Sequence, residues 1–256
     1  MSAGTTRVAL VSGASRGIGA AIAGALSAAG ASVVLVARSR DALDAVAAAL
    51  PGASLVLPLD LARKEAAAEA VAATVRHFGR LDVLVNNAGA TPRGDFLAFT
   101  DDDWDAGFAL KFFGAMRLCR AAWPALVAAQ GCIVNIAGIG GRTGNAEFTI
   151  GGSVNAALLN LTKALADRGV RDGVRVNAVN PSAIATERTL ARIRRIAAER
   201  GLEEKHAADE LAGQLRVARF GTPQEVAKVV AFLASADASY MQGAIVDVDG
   251  GQTRTL

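Results

Sequence analysis

Seven residues near the amino terminus have the composition and spacing of a phosphate-binding loop. Residues 13–19 read Gly-Ala-Ser-Arg-Gly-Ile-Gly and follow a short apolar run at residues 7–11. Glycines at this spacing let backbone amides approach a pyrophosphate at the positive end of the helix that follows. Taken alone, the spacing also fits a tight strand-to-helix turn without a ligand. The candidate phosphate-binding residues are Gly13, Ser15, Arg16, Gly17, Ile18 and Gly19.

Two further segments follow apolar runs in the same way. One comes after residues 54–57 and the other after residues 83–85. The carboxyl ends of parallel strands meet at one edge of an open α/β sheet, where such sheets bind their ligands. Because all three segments are expected at this edge, we favour a dinucleotide site over a purely structural turn. The added candidates are Asp60, Leu61, Asn87, Ala88 and Gly89.

The charge after the second apolar run bears on which dinucleotide is bound. A site for NAD places a carboxylate there to bind the ribose 2′-hydroxyl, whereas residues 37–40 read Ala-Arg-Ser-Arg. The guanidinium groups of Arg16 and Arg38 match the geometry of a 2′-phosphate. We therefore expect NADP(H) rather than NAD(H); the alternative is a pair of solvated arginines.

The elements that position these residues alternate along the chain. Short β-branched runs are separated by longer Ala-rich segments with helical periodicity, which predicts crossover helices and a parallel sheet. We predict one α/β domain over residues 1–256, a Rossmann fold with a doubly wound, seven-stranded parallel sheet and flanking helices. The predicted strands are 7–11, 33–36, 54–57, 83–85, 132–136, 174–179 and 244–248, and the clearest helices are 62–78, 102–127, 154–167 and 224–234.

The most polar interval, about residues 186–213, interrupts this alternation and is predicted to be a lid over the substrate. Its arginines could meet an anionic substrate such as an acyl thioester. Interspersed glutamates favour the alternative, an ordinary solvated helix. The arginines are Arg188, Arg192, Arg194, Arg195 and Arg200.

Composition excludes several classes of protein. The 27 basic and 24 acidic residues are well mixed, unlike the basic stripe of a nucleic-acid-binding protein. The two cysteines, Cys119 and Cys132, lie in apolar surroundings without metal-ligand spacing, so neither a metal site nor a disulfide framework is expected. We find no export signal and no apolar run long enough to span a membrane. A cytoplasmic protein without membrane contact is expected.

Three further motifs complete a family pattern. They are residues 175–181 (Arg-Val-Asn-Ala-Val-Asn-Pro), 221–227 (Gly-Thr-Pro-Gln-Glu-Val-Ala) and 249–251 (Asp-Gly-Gly). With the segments above, the chain resembles the short-chain dehydrogenase/reductase family over nearly its whole length, especially its ketoacyl-carrier-protein-reductase-like members. The resemblance implies hydride transfer between a nicotinamide and a carbonyl or alcohol. It also implies that Pro181, Ile184 and Thr186 line the nicotinamide end of the cofactor site.

The resemblance further implies a catalytic group of Asn, Ser, Tyr and Lys. In the family the Tyr moves the substrate proton and the Lys lowers the pKa of that phenol, which is ordinarily about 10. Aligned without a gap, these positions fall on Lys111, Gly138, Gly151 and Asn155, so all four are replaced. The sole tyrosine, Tyr240, lies near the carboxyl terminus. The family's usual proton transfer is therefore not expected.

Two features keep a different chemistry open. Lys111 and Asn155 look like an exchange of the family's Asn and Lys, which would return an ammonium group to the site from the facing helix. The alternative is a lysine whose stem packs while its amine reaches solvent. Glycine at positions 138 and 151 predicts open space beside the nicotinamide, with room for a bulkier substrate.

The residues thus support two main hypotheses. The first is an NADP(H)-dependent oxidoreductase that acts on a small carbonyl or alcohol substrate, or on an acyl thioester, through a non-standard active site with Lys111 as its electrostatic contributor. The second is a catalytically inactive protein that senses NADP or assembles with a partner. Non-redox lyase or isomerase chemistry is a third alternative.

Large apolar side chains on the predicted helix 102–127 also predict a homodimer or homotetramer; they are Phe108, Phe112, Phe113 and Trp123.

Overall fold

A computed structural model describes residues 6–254 and shows seven parallel strands. The predicted domain 1–256 includes residues 1–5 and 255–256, which lie outside the described residues. The strands are β1 (Val8–Ser12), β2 (Ser32–Ala37), β3 (Ser54–Pro58), β4 (Val83–Asn86), β5 (Cys132–Ile136), β6 (Arg175–Pro181) and β7 (Ile245–Val248).

The strand order across the sheet is β3-β2-β1-β4-β5-β6-β7. The order reverses at β1, whose Leu10 pairs with Val34 of β2 on one side and with Leu84 of β4 on the other. Ligands of open α/β sheets bind outside the carboxyl ends of the strands at such a reversal. The predicted fold class, a doubly wound parallel Rossmann sheet, is confirmed.

Both faces of the sheet are covered, which explains why the strands read as nearly continuous apolar runs. Along β1, Ala9 and Val11 pack into one core cluster while Val8 and Leu10 pack into the other. Successive side chains of a strand point to opposite faces, so a strand buried on both sides needs apolar residues throughout.

Nine α-helices lie within residues 6–254. The last long one begins with a capping box between Thr222 and Glu225 and has Pro223 in its first turn, where the missing N–H is tolerated. None of the helices described is long and apolar enough to cross a membrane. The helices are α1 (Gly17–Ala28), α2 (Arg40–Ala48), α3 (Ala66–Phe78), α4 (Asp101–Phe108), α5 (Ala115–Ala129), α6 (Thr149–Asp172), α7 (Glu187–Arg200), α8 (Glu204–Gln214) and α9 (Pro223–Ala234).

The structure differs from the predicted elements in two places that matter for the site. The predicted helix 102–127 is interrupted by a π-helical turn, Ala109–Gly114, between α4 and α5. The chain is helical throughout residues 101–129, as predicted, but periodicity along the sequence does not reveal the extra residue of the π-helical turn. The predicted lid, residues 186–213, forms two helices, α7 and α8, and extends to Gln214.

Candidate active site

The turn from β1 to α1 is so tightly packed that two of its positions admit only glycine. A Cβ atom on Gly19 would lie 2.1 Å from the carbonyl oxygen of Gly13, and Gly13 itself has a φ of +67°. The helix that starts at Gly17 leaves its first amide groups without intrahelical acceptors. These amides, at the positive end of α1, suit the pyrophosphate of a dinucleotide.

The segment after β4 is bonded to this turn. Ser12 Oγ accepts hydrogen bonds from the backbone amides of Asn87 (2.9 Å) and Ala88 (3.0 Å). The side-chain amide of Asn87 donates to the carbonyl oxygens of Ser12 (3.0 Å) and Gly13 (3.1 Å). The structure thus brings residues 87–89 and the glycine turn together. Sequence reasoning missed Ser12, although a polar residue at the end of a buried strand is a signal for such a role.

The residues predicted to bind the adenosine end of the cofactor lie at the carboxyl ends of β1, β2 and β3, which are adjacent in the sheet. Arg16 and Arg38 are both exposed there, and neither guanidinium group forms an ion pair with a carboxylate of residues 6–254. Asp60 Oδ1 accepts a hydrogen bond from the amide of Ala62 (3.0 Å), and Leu61 is buried. The two unpaired cations fit a 2′-phosphate.

The segment that follows β6 crosses the glycine turn. Pro181 ends the strand, and Ala183 has a left-handed φ of +50°, which turns the chain. Ile184 forms a β-bridge with Gly221. The methyl group of Thr186 then lies 3.6 Å from the position of a Cβ atom on Gly17. The start of the predicted lid therefore lies against the glycine turn.

Lys111 lies in the π-helical turn and its amine points into the sheet edge. The Nζ atom donates a hydrogen bond to the carbonyl oxygen of Ala137 (2.8 Å), directly after β5. The stem crosses Gly89, where a Cβ atom would lie 2.7 Å from Lys111 Cδ. Burial, followed by repulsion from Arg188, lowers the pKa of Lys111 from 10.5 to about 8. The alternative, in which the amine reaches outward to solvent, does not describe this side chain.

Asn155 of α6 lies against the residue that follows Ala137 at the same strand end. It is buried, and its Nδ2 lies 3.1 Å from the position of a Cβ atom on Gly138. Its Oδ1 has no hydrogen-bond partner among the residues described. Gly138 in turn donates its backbone amide to Asn180 Oδ1 (3.2 Å). An unpartnered buried amide oxygen is costly unless a ligand supplies a donor, which fits a nearby cofactor or substrate hydroxyl.

The prediction of open space at Gly151 is wrong, because the ring of Phe148 fills that volume. A Cβ atom on Gly151 would lie 2.1 Å from Cζ of the Phe148 ring, and one on Gly140 would lie 3.0 Å from the same ring. The guanidinium group of Arg93 covers the ring at 4.3 Å from its centroid. Sequence reasoning missed Phe148 and Arg93, since only the folded loops bring these positions together.

The sole tyrosine lies away from this cluster. Tyr240 precedes β7 and is fully exposed. Because β7 is parallel to its neighbours, the loop before it belongs to the amino-terminal edge of the sheet, opposite the edge that carries the site. No phenol is therefore available at the end of β5.

A family model and several known proteins match nearly the whole chain. A family model described as enoyl-(acyl carrier protein) reductase matches residues 13–253. The chain is 36% identical to meso-2,3-butanediol dehydrogenase of Serratia marcescens, over 96% of this chain and 94% of that protein. It is also 36% identical to acetoacetyl-CoA reductase of Shinella zoogloeoides, over 96% of this chain and 98% of that protein.

A solved structure gives the same result. L-sorbose reductase from Gluconobacter frateurii, in complex with NADPH and L-sorbose, superposes with a TM-score of 0.93 at 31% identity, covering 98% of each chain. These relatives are oxidoreductases that act on carbonyl or alcohol groups. The match of fold and sequence over almost the full length shows that this chain belongs to the short-chain dehydrogenase/reductase family.

Proposed function

We propose that this protein is an NADP(H)-dependent oxidoreductase that acts on a carbonyl or alcohol substrate through a non-standard active site. Its Lys111, Gly138, Gly151 and Asn155 stand where the family carries Asn, Ser, Tyr and Lys. The observation that carries the proposal is the Lys111 amine, held at the ends of β4 and β5 beside Gly138. Retention of the cofactor-binding turn supports it, as does the NADPH-bound structural relative.

Comparing the binding of nucleotides with and without a 2′-phosphate tests the preference for NADP(H). Arg38 follows β2 and has no carboxylate partner among the described residues, so we expect calorimetry to show tighter binding of NADPH than of NADH. Arg38→Ala should reduce NADPH affinity by about tenfold or more and leave NADH affinity nearly unchanged. Arg40→Ala, an exposed neighbour in α2, is the matched control. Equal affinities for the two nucleotides would contradict the assignment.

In the proposed chemistry, Lys111 is the group that exchanges a proton with the substrate oxygen. NADP(H), held by the glycine turn with Arg16 and Arg38, would supply the hydride to the carbonyl carbon or accept it in the reverse direction. In reduction, the ammonium of Lys111 hydrogen-bonds to the substrate oxygen, stabilises the charge that develops there, and transfers one proton from Nζ. The neutral amine that remains regains a proton from solvent. A pKa of about 8 suits this role, because both protonation states are accessible near neutral pH.

The neighbouring residues position this group. The carbonyl oxygen of Ala137 holds one N–H of Lys111 and leaves the others available. Asn155 contributes a buried amide with an unpartnered oxygen on the facing side. Phe148 closes the volume at Gly151 and keeps bulk water from it.

NADPH oxidation with a panel of ketones, aldehydes and acyl thioesters tests the function. We expect turnover by the natural sequence and a loss on the order of 10² to 10⁴ in Lys111→Met. Lys163→Met removes an equal charge from an exposed position on α6 and should retain full activity. Equal turnover by both variants would exclude Lys111 from the chemistry.

One observation favours the second hypothesis, a protein that binds NADP without catalysis. The Phe148 ring takes up space beside Gly151 that a substrate would otherwise enter. Under this alternative, calorimetry detects NADPH binding, no carbonyl compound is turned over, and the cofactor changes only assembly or partner affinity. The same two measurements therefore separate the hypotheses.

A further inference from the structure

We propose that Asn180 and Asp247 are positioning residues for the proposed reaction. They fix the peptide group that joins Ala137 to Gly138, whose carbonyl oxygen holds the amine of Lys111. The inference rests on the proposed function, because it names residues that act on the same site through the backbone that follows β5. Neither side chain belongs to the cofactor-binding or proton-transferring groups described above.

Three hydrogen bonds connect the ends of three adjacent strands. Gly138, which follows β5, donates its backbone amide to Asn180 Oδ1 of β6 at 3.2 Å. Asn180 Nδ2 donates to Asp247 Oδ1 of β7 at 2.9 Å. Asp247 Oδ2 accepts from Arg142 Nη1 at 2.8 Å and forms an ion pair with it. Strands β5, β6 and β7 are neighbours in that order, and Asn180 pairs with Asp247 in the strand register.

Arg142 closes these contacts into a ring. It directly follows a short 3₁₀ turn, Ile139–Gly141, in which the amide of Gly141 donates to the carbonyl oxygen of Gly138 at 3.0 Å. The amide of Arg142 donates to the carbonyl oxygen of Ile139 at 2.8 Å. The ring therefore begins and ends on one turn, and it holds both backbone polar groups of Gly138.

The turn depends on this ring. Gly138 has a φ of +154° and no side chain that could hold the chain in place. Asn180 is fully buried, and both ends of its side-chain amide have a partner. Without Asp247 the nitrogen of that amide would lose its acceptor, which is costly in a buried position. Asn180 would then reorient, and the amide of Gly138 would lose its own acceptor.

One planar peptide group transmits the ring to the candidate active site. The carbonyl oxygen of Ala137 and the amide of Gly138 belong to the same trans peptide, so they point in opposite directions and move together. Asn180 binds the amide, and Lys111 Nζ binds the oxygen at 2.8 Å. A tilt of this group moves the acceptor of the Lys111 amine. A displacement of about 1 Å in a site can lower a rate by roughly 10²-fold.

Steady-state kinetics with NADPH and a carbonyl substrate test the positioning role in Asp247→Leu. Asp172→Leu is the matched control: that carboxylate also accepts from a neutral N–H group, Trp123 Nε1, and pairs with arginines, but it lies at the opposite edge of the sheet, where α6 ends before β6. We expect kcat to fall by roughly tenfold or more in Asp247→Leu, with NADPH affinity within about twofold of the natural sequence. Asp172→Leu should retain kcat.

Two milder variants keep the test independent of folding. Asp247→Asn retains an oxygen that can accept from Asn180 Nδ2, so it should recover most of the lost kcat. Arg142→Met removes only the more exposed end of the ring and should lower kcat by a smaller factor than Asp247→Leu. Equal kcat in Asp247→Asn and Asp247→Leu would overturn the role of the hydrogen bond to Asn180.

NMR of the protein labelled with ¹³C at lysine Cε follows the Lys111 amine without turnover, and its signal is the one missing from Lys111→Met. In Asp247→Leu we expect the pKa of this amine to rise from about 8 towards its ordinary value of 10.5, because a loosened turn lets water reach it. Loss of a carboxylate charge alone would lower the pKa, so the two effects have opposite signs. Arg188, which also acts on the pKa of Lys111, is unchanged in these variants.

The two measurements separate this inference from the proposed function. A raised pKa of Lys111 in Asp247→Leu, with no NADPH oxidation by any form, would support the positioning role and count against the proposed function. The natural kcat and an unchanged Lys111 signal in Asp247→Leu would support the function and overturn the inference. Equal losses in Asp247→Leu and Asp172→Leu would also overturn it, because they would reflect a general loss of stability.

Discussion

At the scale of single residues, Lys111 is held by contacts that leave its amine little freedom. Its stem passes over Gly89, where any side chain would collide, and its Nζ is bound to the carbonyl oxygen of Ala137. These residues come from three separate segments of the chain. An ammonium group so held is preorganised toward a developing negative charge, which is the main requirement for electrostatic catalysis.

The lowered pKa of Lys111 predicts the pH dependence of reduction. The ammonium is the proton donor, so kcat/KM should be constant at low pH and fall about tenfold per pH unit above a pKa of about 8. Alcohol oxidation needs the neutral amine and should rise through the same range. Initial rates across pH 6 to about 10 in both directions check this.

Arg188→Gln provides a control for the assignment. Removing this charge relieves repulsion of the ammonium and should raise the pKa of Lys111, so the falling limb should move to higher pH. A limb that stays in place in Arg188→Gln, or that persists in Lys111→Met, would show that another group controls the rate.

Some residues of the site were predictable from sequence and others were not. The glycines of the β1–α1 turn and Asn87 were predictable because their roles are local to a strand end. Phe148 and Arg93 were not, because their contact depends on two loops that are far apart in sequence. The ion pairs of the α7 arginines, such as that of Arg194 with Glu187, also required the folded helix.

At the scale of elements, Phe148 and the start of α6 form one packed unit. The ring occupies the volume of a side chain at position 151, so the two positions are coupled. The π-helical turn similarly couples Lys111 to α4 and α5, since an extra residue in the turn re-aims the side chain.

Gly151→Ala tests this packing. The added Cβ would overlap the Phe148 ring, so the free energy of unfolding should fall by about 1–3 kcal/mol in urea denaturation. Gly151→Ala/Phe148→Leu should recover part of the loss, because the smaller side chain can move aside. Gly144→Ala, whose Cβ meets no atom within 4 Å, should change stability by less than about 0.5 kcal/mol. Equal effects at positions 151 and 144 would contradict the packing.

The strands were the most predictable elements. Residues 132–136 were predicted with the observed bounds, and the other strands differ from the prediction by one or two residues at one or both ends. Burial on both faces imposes apolar β-branched runs, which the sequence shows directly. Helix starts were less predictable: α6 begins at Thr149, five residues before the predicted start, because its first turn contains glycines that lack an amphipathic pattern.

At the scale of the whole molecule, the parallel sheet collects every candidate functional residue at one edge. The glycine turn, Gly138 and the start of the predicted lid follow the carboxyl ends of strands, and the amine of Lys111 reaches the same edge from the π-helical turn. Tyr240 lies at the other edge. The topology thus explains both the shared site and the absence of a phenol from it among the residues described.

We expect the protein to form a homodimer or homotetramer through α5 and α6. Val127 on α5, Val170 on α6 and Phe113 in the π-helical turn before α5 are exposed apolar side chains, and Val170 is 75% exposed. Light scattering at micromolar concentration should give two or four times the mass of one chain, 26.1 kDa. Val170→Asp should shift the mass downward, whereas Leu97→Asp, an exposed residue before α4, should not. A monomer for the natural sequence would contradict this expectation.

The most direct test of the central claim is transfer of a labelled hydride. NADPH carrying deuterium at C4 of the nicotinamide is incubated with the carbonyl panel, and mass spectrometry detects deuterium on carbon in the alcohol formed. We predict labelled alcohol with the natural sequence and with Lys163→Met, and a rate at least about 10² lower with Lys111→Met. Bound NADPH without any labelled product, or equal labelling by Lys111→Met, would contradict an oxidoreductase that uses Lys111.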